Sequence, residues 1–253
     1  MPGVLPHPTL KDRPDGLAGC TACGGPYALK DHPYSSHSVI LSLLGSGHGR
    51  RLLDVGAADG FLARRLTAQG YEVTCIERDP QLATRAAAVC RTAVVADLDW
   101  DSPELDGPFD VIVYGDVLEH LRDPARVLVA LNRHLKSDGL VIVSVPNVAH
   151  IWIRLQLLVG RFNYTDRGIL DRTHLRFFTR ASLRQLLAEA ELAEVEMVPT
   201  PVPLPLVVPE RFHGRWLAVL HAMNAGLARA AKTLFAFQFV AVARTGGALG
   251  TRG

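Results

Sequence analysis

The stretch from Arg51 to Gly60, RLLDVGAADG, constrains this chain more than any other. An apolar run reaches an acid, Asp54. A glycine-bounded loop follows, Gly56-Ala57-Ala58-Asp59-Gly60, and Phe61–Gln69 then carries a helical pattern. A strand that turns sharply into a helix leaves the first helical N–H groups unpaired and aimed at the turn. Glycine lets a ligand come close to that backbone. The G-x-G-x-x-G spacing of dinucleotide folds is absent. The spacing is instead Asp54-x-Gly56-x-x-x-Gly60, with Ala58 at the middle position.

The flanking sequence repeats the same alternation. Strands are predicted at 51–55, 72–77, 93–96, 109–114 and 140–145, with helices at 61–69, 81–90 and 124–135 between them. Strands so spaced indicate a parallel α/β sheet. Their nearly unbroken apolar character fits strands covered on both faces. A capped helix is expected at 35–44, ahead of the first strand. The second half is less regular. Helices are expected at 149–160 and 182–190, a strand at 192–198 and a proline-rich connector at 199–209. A helical pattern at 212–234 and a last strand at 237–243 follow. The expected fold is a doubly wound, Rossmann-like, seven-stranded and mostly parallel sheet. Residues 1–34 read as a loose lead-in, and 35–253 as one domain. Within it, 147–181 is an inserted cap, and about 210–245 holds a closing helix and strand.

Composition narrows the partners. Among 253 residues the net charge is only +2, and 48% are hydrophobic. A real core is available, while bulk charge does not point to nucleic acid. No apolar run approaches the roughly 18 residues of a membrane span, and the first residues lack the apolar centre of a secretion signal. A cytoplasmic protein with a small-molecule partner and no membrane partner is expected. Cys20 and Cys23 have C-x-x-C spacing, but a closed zinc site needs four ligands. A loop with two thiols is favoured over half a zinc site or a redox pair. Cys75 and Cys90 read as ordinary thiols.

Three clusters carry chemistry. Glu77 ends the second strand 21 residues after Gly56, where nucleoside-binding folds place the acid that receives ribose hydroxyls. Asp97 ends the third strand, at the sheet edge where ligands bind. Asp116, Glu119 and His120 follow the fourth strand at i, i+3 and i+4, and on a helical turn they would share a face. Two acids beside an imidazole are costly unless a cation or a proton joins them. In Gly168–Arg180 the aromatic pair would pack, leaving His174 and the arginines to face a cleft. His150 either faces an acceptor pocket or starts a helix, and Ile151–Val159 with Trp152 either forms a lid or packs in the core.

Together LLDVGAADG, CIERDP, DVLEHLRDP, LKSDGLVIVSVPN and GILDRTHLRFFT resemble class I S-adenosylmethionine-dependent methyltransferases. The branch is the one similar to ubiquinone-pathway O-methyltransferases and MetW-like proteins. The resemblance covers about residues 36–198. It implies a last strand running antiparallel between two parallel ones. It also implies that Asp54, Gly56, Ala57, Gly60, Phe61 and Gly115 surround the methionine end of S-adenosylmethionine. Glu77, with its neighbour Arg78, would take the ribose, and Asp97 and Leu98 the adenine. The segment around Glu119 and His174 also resembles small-RNA 2′-O-methyltransferases, whose matching groups bind a divalent metal. By that likeness Asp116, Glu119, His120 and His174 would hold a metal of unknown identity on the acceptor oxygen. The alternative is metal-free, with His120 or His174 as general base, an adjacent acid such as Glu119 orienting it, and His150 a further candidate. O-methylation of a sugar or secondary metabolite is the function implied. RNA-end methylation, N-methylation and a non-catalytic MetW-like regulatory role are its rivals.

Overall fold

The computed structural model describes residues 34–245. Helix α1 (Ser36–Leu44) precedes β1 (Arg51–Val55), α2 (Phe61–Ala68), β2 (Glu72–Glu77), α3 (Pro80–Ala87) and β3 (Thr92–Val95). Strand β4 (Phe109–Gly115), helix α4 (Pro124–Asn132) and strand β5 (Leu135–Pro146) complete the alternation. Then come α5 (Ile151–Leu158), α6 (Arg180–Glu189), β6 (Leu192–Thr200), α7 (Leu204–Val207), α8 (Arg215–Ala230), α9 (Lys232–Phe235) and β7 (Gln238–Thr245). Cys20, Cys23 and nearly all of the 1–34 lead-in lie outside the described residues.

The seven strands form one sheet in the order β3-β2-β1-β4-β5-β7-β6. Strands β1 to β5 pair in parallel, and β7 runs antiparallel between β5 and β6. The expected doubly wound architecture is therefore the one found. Residues of β1 alternate between two apolar layers. Leu53 and Val55 join Ile112, Tyr114 and Leu128 on one face, and Leu52 joins Leu66, Val111 and Val113 on the other. All nine are fully buried. Each side chain of this kind stabilises the fold by about 1.5–3 kcal/mol relative to exposure.

Boundaries moved where local chemistry overrode periodicity. Helix α3 starts at Pro80 because the Asp79 carboxylate accepts from the N–H groups of Gln81 and Leu82; Asp79 is its N-cap. Helix α4 ends early because Leu135 pairs with Phe109 in the sheet. The 212–234 pattern breaks at Ala231, whose backbone leaves the helical region at φ −132 and ψ 69. Strand order reverses between β1 and β4, and such a reversal opens a crevice at the carboxyl ends of the strands. Val55 pairs with Tyr114 there, so Gly56 leaves the sheet beside Gly115, the last residue of β4.

The turn residue Gly60 has φ +82, and a Cβ there would lie 2.7 Å from Val89 Cγ2 and 2.9 Å from Ala86 Cα. Gly160 has φ +71 and nothing within 4 Å of that position. Gly160→Ala should cost only the left-handed penalty of about 1–2 kcal/mol. Gly60→Ala should cost distinctly more, because α3 must also shift. Urea unfolding of both variants checks this, and equal losses would remove the steric argument.

Candidate active site

The crevice is built first by the turn after β1. Gly56 has φ +74, Ala58 φ +50 and Gly60 φ +82. Ala58 therefore adopts the left-handed conformation that a middle glycine would adopt freely, and the loop closes despite the substitution. The N–H groups of Gly56 and Ala57 both donate to the Ile76 carbonyl, at 2.9 and 3.1 Å. The Glu77 carboxylate then ties the turn to the next helix. It accepts from Ala58 N at 2.8 Å and from Asp79 N at 2.9 Å. The glycines serve protein packing as well as ligand approach. A Cβ on Gly56 would lie 2.7 Å from Val117 Cγ2, and one on Gly60 would strike α3. Gly115 is different, with only Leu62 Cδ2 near, at 3.8 Å.

Asp54 lies beneath this turn, 2% exposed. Its Oδ2 meets no hydrogen-bond partner among the described residues. Burial above all, with the neighbouring Cys90 and Glu77, pushes its pKa up to about 7. Phe61 begins α2 half-buried, its ring 4.7 Å from that of His37 on α1. Arg78 is exposed. Past β3, Asp97 is half-buried and accepts from Asp99 N at 3.1 Å, while Leu98 is 8% exposed. The Leu98 carbonyl accepts from Arg126, and the Asp99 carboxylate from Arg122 N, which ties this edge to the segment after β4.

That segment departs from the expected helical turn. Asp116 has φ +53, and the 3-10 turn that follows holds only Leu118–His120. Asp116 thus does not share a face with the acid and imidazole beyond it. Its carboxylate accepts from Ser144 Oγ at 2.5 Å, Gln238 Nε2 at 3.0 Å and Ser36 Oγ at 3.1 Å, fastening β5, β7 and α1 together. The expected quartet of Asp116, Glu119, His120 and His174 becomes a trio. Glu119, His120 and His174 each offer a ligand atom within 4.8 Å of the others, and Asp116 is not among them.

The trio is assembled by the cap. The Glu119 carbonyl accepts from the N–H groups of Leu175 and Arg176 at 2.8 and 3.0 Å, clamping residues 173–176 over the turn. Glu119 itself is 1% exposed. The Asp171 carboxylate accepts from Thr173 N and Oγ1, at 2.8 and 2.7 Å. That local turn sets the Thr173 carbonyl 3.2 Å from His120 Nδ1. His174 Nδ1 lies 3.1 Å from the Ile169 carbonyl. A carbonyl can only accept, so each Nδ1 carries a proton, and in the neutral ring Nε2 then carries the lone pair. The two rings meet edge to face at 4.9 Å. Burial, then the proximity of His174, lowers the pKa of His120, so its imidazole stays neutral at neutral pH.

Other expected groups have different duties. His150 is 6% exposed and is the N-cap of α5, its Nδ1 accepting from Trp152 N at 3.2 Å. That bond uses the lone pair a base would need. Trp152 is 61% exposed, so it is not core packing. The cap arginines do not converge on a cleft: Arg172 pairs with Asp166 at 2.6 Å, and Arg176 donates to the Arg122 carbonyl. Phe177 packs against Ile153, Ile169 and Leu170 and forms a ring group with His174, Phe162 and Tyr164 at separations of 5.7–6.3 Å. Sequence reasoning missed Asn147, which is fully buried. Its amide donates to the Thr233 and Ala236 carbonyls, at 3.1 and 2.8 Å, and holds the cap root against α9. Only the Pro-Asn step after β5 hinted at it. The Asp116 partners left no sequence signal.

The fold and this edge define a class, the S-adenosylmethionine-dependent methyltransferase fold, and comparison with known proteins agrees. Residues 32–196 match the family described as a methyltransferase domain, and the chain belongs to that family. It is 35% identical over 123 residues to a ubiquinone biosynthesis O-methyltransferase of Xylella fastidiosa (strain M23), covering 45% of this chain and 46% of that one. The chain thus spans about half the length of the curated relatives it matches. A methyltransferase structure from Archaeoglobus fulgidus superposes with TM-score 0.55 at 14% identity, over 83% of this chain and 94% of that one. The magnesium protoporphyrin IX methyltransferase of Synechocystis PCC 6803, a structure with bound SAH, gives TM-score 0.54 at 15% identity, over 83% and 82%.

The raised Asp54 pKa has a definite sign. Below about pH 4 the carboxyl is protonated both folded and unfolded. As pH rises toward 7 the unfolded chain releases the proton and the folded chain keeps it, so stability is lost across that window. Asp54→Asn should therefore stabilise the cofactor-free protein, by roughly 2–3 kcal/mol more at pH 8 than at pH 5. Urea unfolding at the two pH values measures this, and a constant difference would refute it.

Proposed function

We propose that this chain transfers the methyl group of S-adenosylmethionine to an oxygen of a small acceptor, a sugar or secondary metabolite carrying a ring hydroxyl. One observation carries the reading: the left-handed turn with Asp54 and Glu77, and the trio of Glu119, His120 and His174, line the same carboxyl edge around the β1–β4 reversal. The name of the Xylella relative supports oxygen as the acceptor atom. The aromatic group around Phe177 suits a ring acceptor.

On this reading Asp54 receives the cationic amino-acid end of the cofactor. Its unpartnered buried oxygen supports the assignment, because an ammonium would hold the carboxylate in its charged form. Gly56, Ala57, Gly60, Phe61 and Gly115 line that end. Glu77 receives ribose hydroxyls on the lone pairs that its two backbone donors leave over, with Arg78 at the outer margin. Asp97 and Leu98 receive the adenine. When bound, S-adenosylmethionine supplies an electrophilic methyl group for in-line attack. His120 and His174 face the acceptor hydroxyl through Nε2, and one of them takes its proton.

The trio would also hold a divalent cation. One buried carboxylate and two imidazoles with their lone pairs on Nε2 form a mixed donor set suited to Mn, Fe, Co or Zn. When bound, such an ion lowers the pKa of an acceptor hydroxyl. Asp116 has no part in that set, its carboxylate being occupied by Ser36, Ser144 and Gln238. Elemental analysis and manganese titration calorimetry read occupancy without an assay. Full activity after exhaustive chelation, with no metal found, would reject the cation and leave the imidazole base.

Two substitutions separate binding from chemistry. Glu77→Ala should weaken S-adenosylmethionine binding at least tenfold by calorimetry, since hydrogen bonds to a charged group contribute about 1.5–3 kcal/mol. His174→Ala should leave that affinity within about twofold and lower turnover by roughly 10²–10⁴-fold. Normal affinity in Glu77→Ala would end the ribose assignment.

A further inference from the structure

Helix α8 presents an apolar stripe on the wrong side for a core helix. Leu217, His221, Ala225 and Ala228 face inward and are buried. Trp216, Val219, Leu220, Met223 and Leu227 recur at helical spacing on the opposite side, each between 44% and 60% exposed. Just before it, Leu206, Val207 and Phe212 are more than half exposed as well. Scattered exposed apolar residues need no explanation, but a continuous stripe marks a contact surface.

Charge identifies the occupant. Between residues 211 and 237 the charged residues are Arg211, Arg215, Arg229 and Lys232, and no acid follows Glu210 anywhere in the sequence. The whole chain carries only +2, so the four positive charges of this segment, two of them on α8 itself, are offset by net negative charge elsewhere. Two copies meeting through this face would set like charges against like. An apolar stripe with a tryptophan and flanking arginines instead matches a helix lying in the plane of an anionic bilayer surface. No helix among the described residues is long and apolar enough to cross a membrane, and a surface contact requires none.

We propose that α8 seats this protein on anionic lipid, its apolar stripe entering the headgroup boundary and its arginines meeting lipid phosphates. A second feature agrees. Helix α5, at the root of the cap, exposes Trp152, Leu155 and Leu158. No acid lies between residues 147 and 165, whereas Arg154 and Arg161 do. The cap root is bonded to α9, the short helix directly after α8, through Asn147. A surface contact of this kind departs from the expectation of no membrane partner, and vesicle binding decides between the two.

Flotation of the full chain with vesicles tests this. Vesicles of phosphatidylcholine with about 30% phosphatidylglycerol should bind it at least tenfold more tightly than phosphatidylcholine alone, with a blue shift in tryptophan emission. High salt should reduce the binding, because surface charge is screened. Val219→Asp with Met223→Asp should abolish binding, while cofactor affinity and the unfolding midpoint stay unchanged. Arg215→Glu with Arg229→Glu should remove the preference for anionic lipid. Equal affinity for neutral and anionic vesicles would overturn the proposal, as would binding that survives the aspartate pair. A dimer in light scattering that the aspartate pair dissolves would assign the face to a second copy. Capture of an acidic protein with no vesicle binding would assign it to that partner.

Discussion

Parallel pairing of β1 with β4, at the point where strand order reverses, is the constraint on which the carboxyl edge depends. Connections run outward from β1 through α2 to β2, and inward again to β4, so no crossover covers the gap between them. Val55 opposite Tyr114 sets Gly56 next to Gly115. From there the two chains must diverge, one into α2 and the other into the 3-10 turn at Leu118. Glycine at 56 is required because Val117 packs where its Cβ would be. The turn regarded from sequence as a place for a ligand is therefore also the hinge-point of the protein's own packing.

Two carboxylates hold the edge in shape. Glu77 joins the β1 turn to the N-terminus of α3 through two backbone donors. Asp116 joins α1, β5 and β7 through three side-chain donors. An acid with its hydrogen bonds satisfied rigidifies what it touches, and a buried one left unsatisfied is costly. Asp54 is the contrasting case, buried with an open oxygen and a pKa of about 7. The two fastened acids make the frame, and the open one is the group whose charge state an arriving cation would change.

The cap shows how a loop can be made definite without regular structure. Asp171 shapes Thr173, Thr173 orients His120, and the Glu119 carbonyl receives Leu175 and Arg176. Each imidazole is tied at Nδ1 by a backbone carbonyl, which fixes the tautomer as surely as a carboxylate would. The fold alone does not choose an acceptor, because the same sheet hosts many chemistries. In this chain that sheet carries the trio, the aromatic group beside it, and the exposed apolar faces of α5 and α8.

By itself the sequence determined the alternating α/β architecture, the turn at 56–60 and the positions of Glu77 and Asp97. These rest on local periodicity, on glycine placement and on spacing along a short stretch of chain, all of which are written in neighbouring residues. Only tertiary structure decided that Asp116 leaves the acid–imidazole group. Its conformation is set by Ser36, Ser144 and Gln238, which lie 80, 28 and 122 residues away. The helical spacing of Asp116, Glu119 and His120 was real in the sequence but had no helix to act on. A left-handed residue and a three-residue turn replaced it. His150 follows the same logic, because a helix start consumed its lone pair. Non-local hydrogen bonds leave no periodic trace, and for that reason the trio could be read only after the chain had folded.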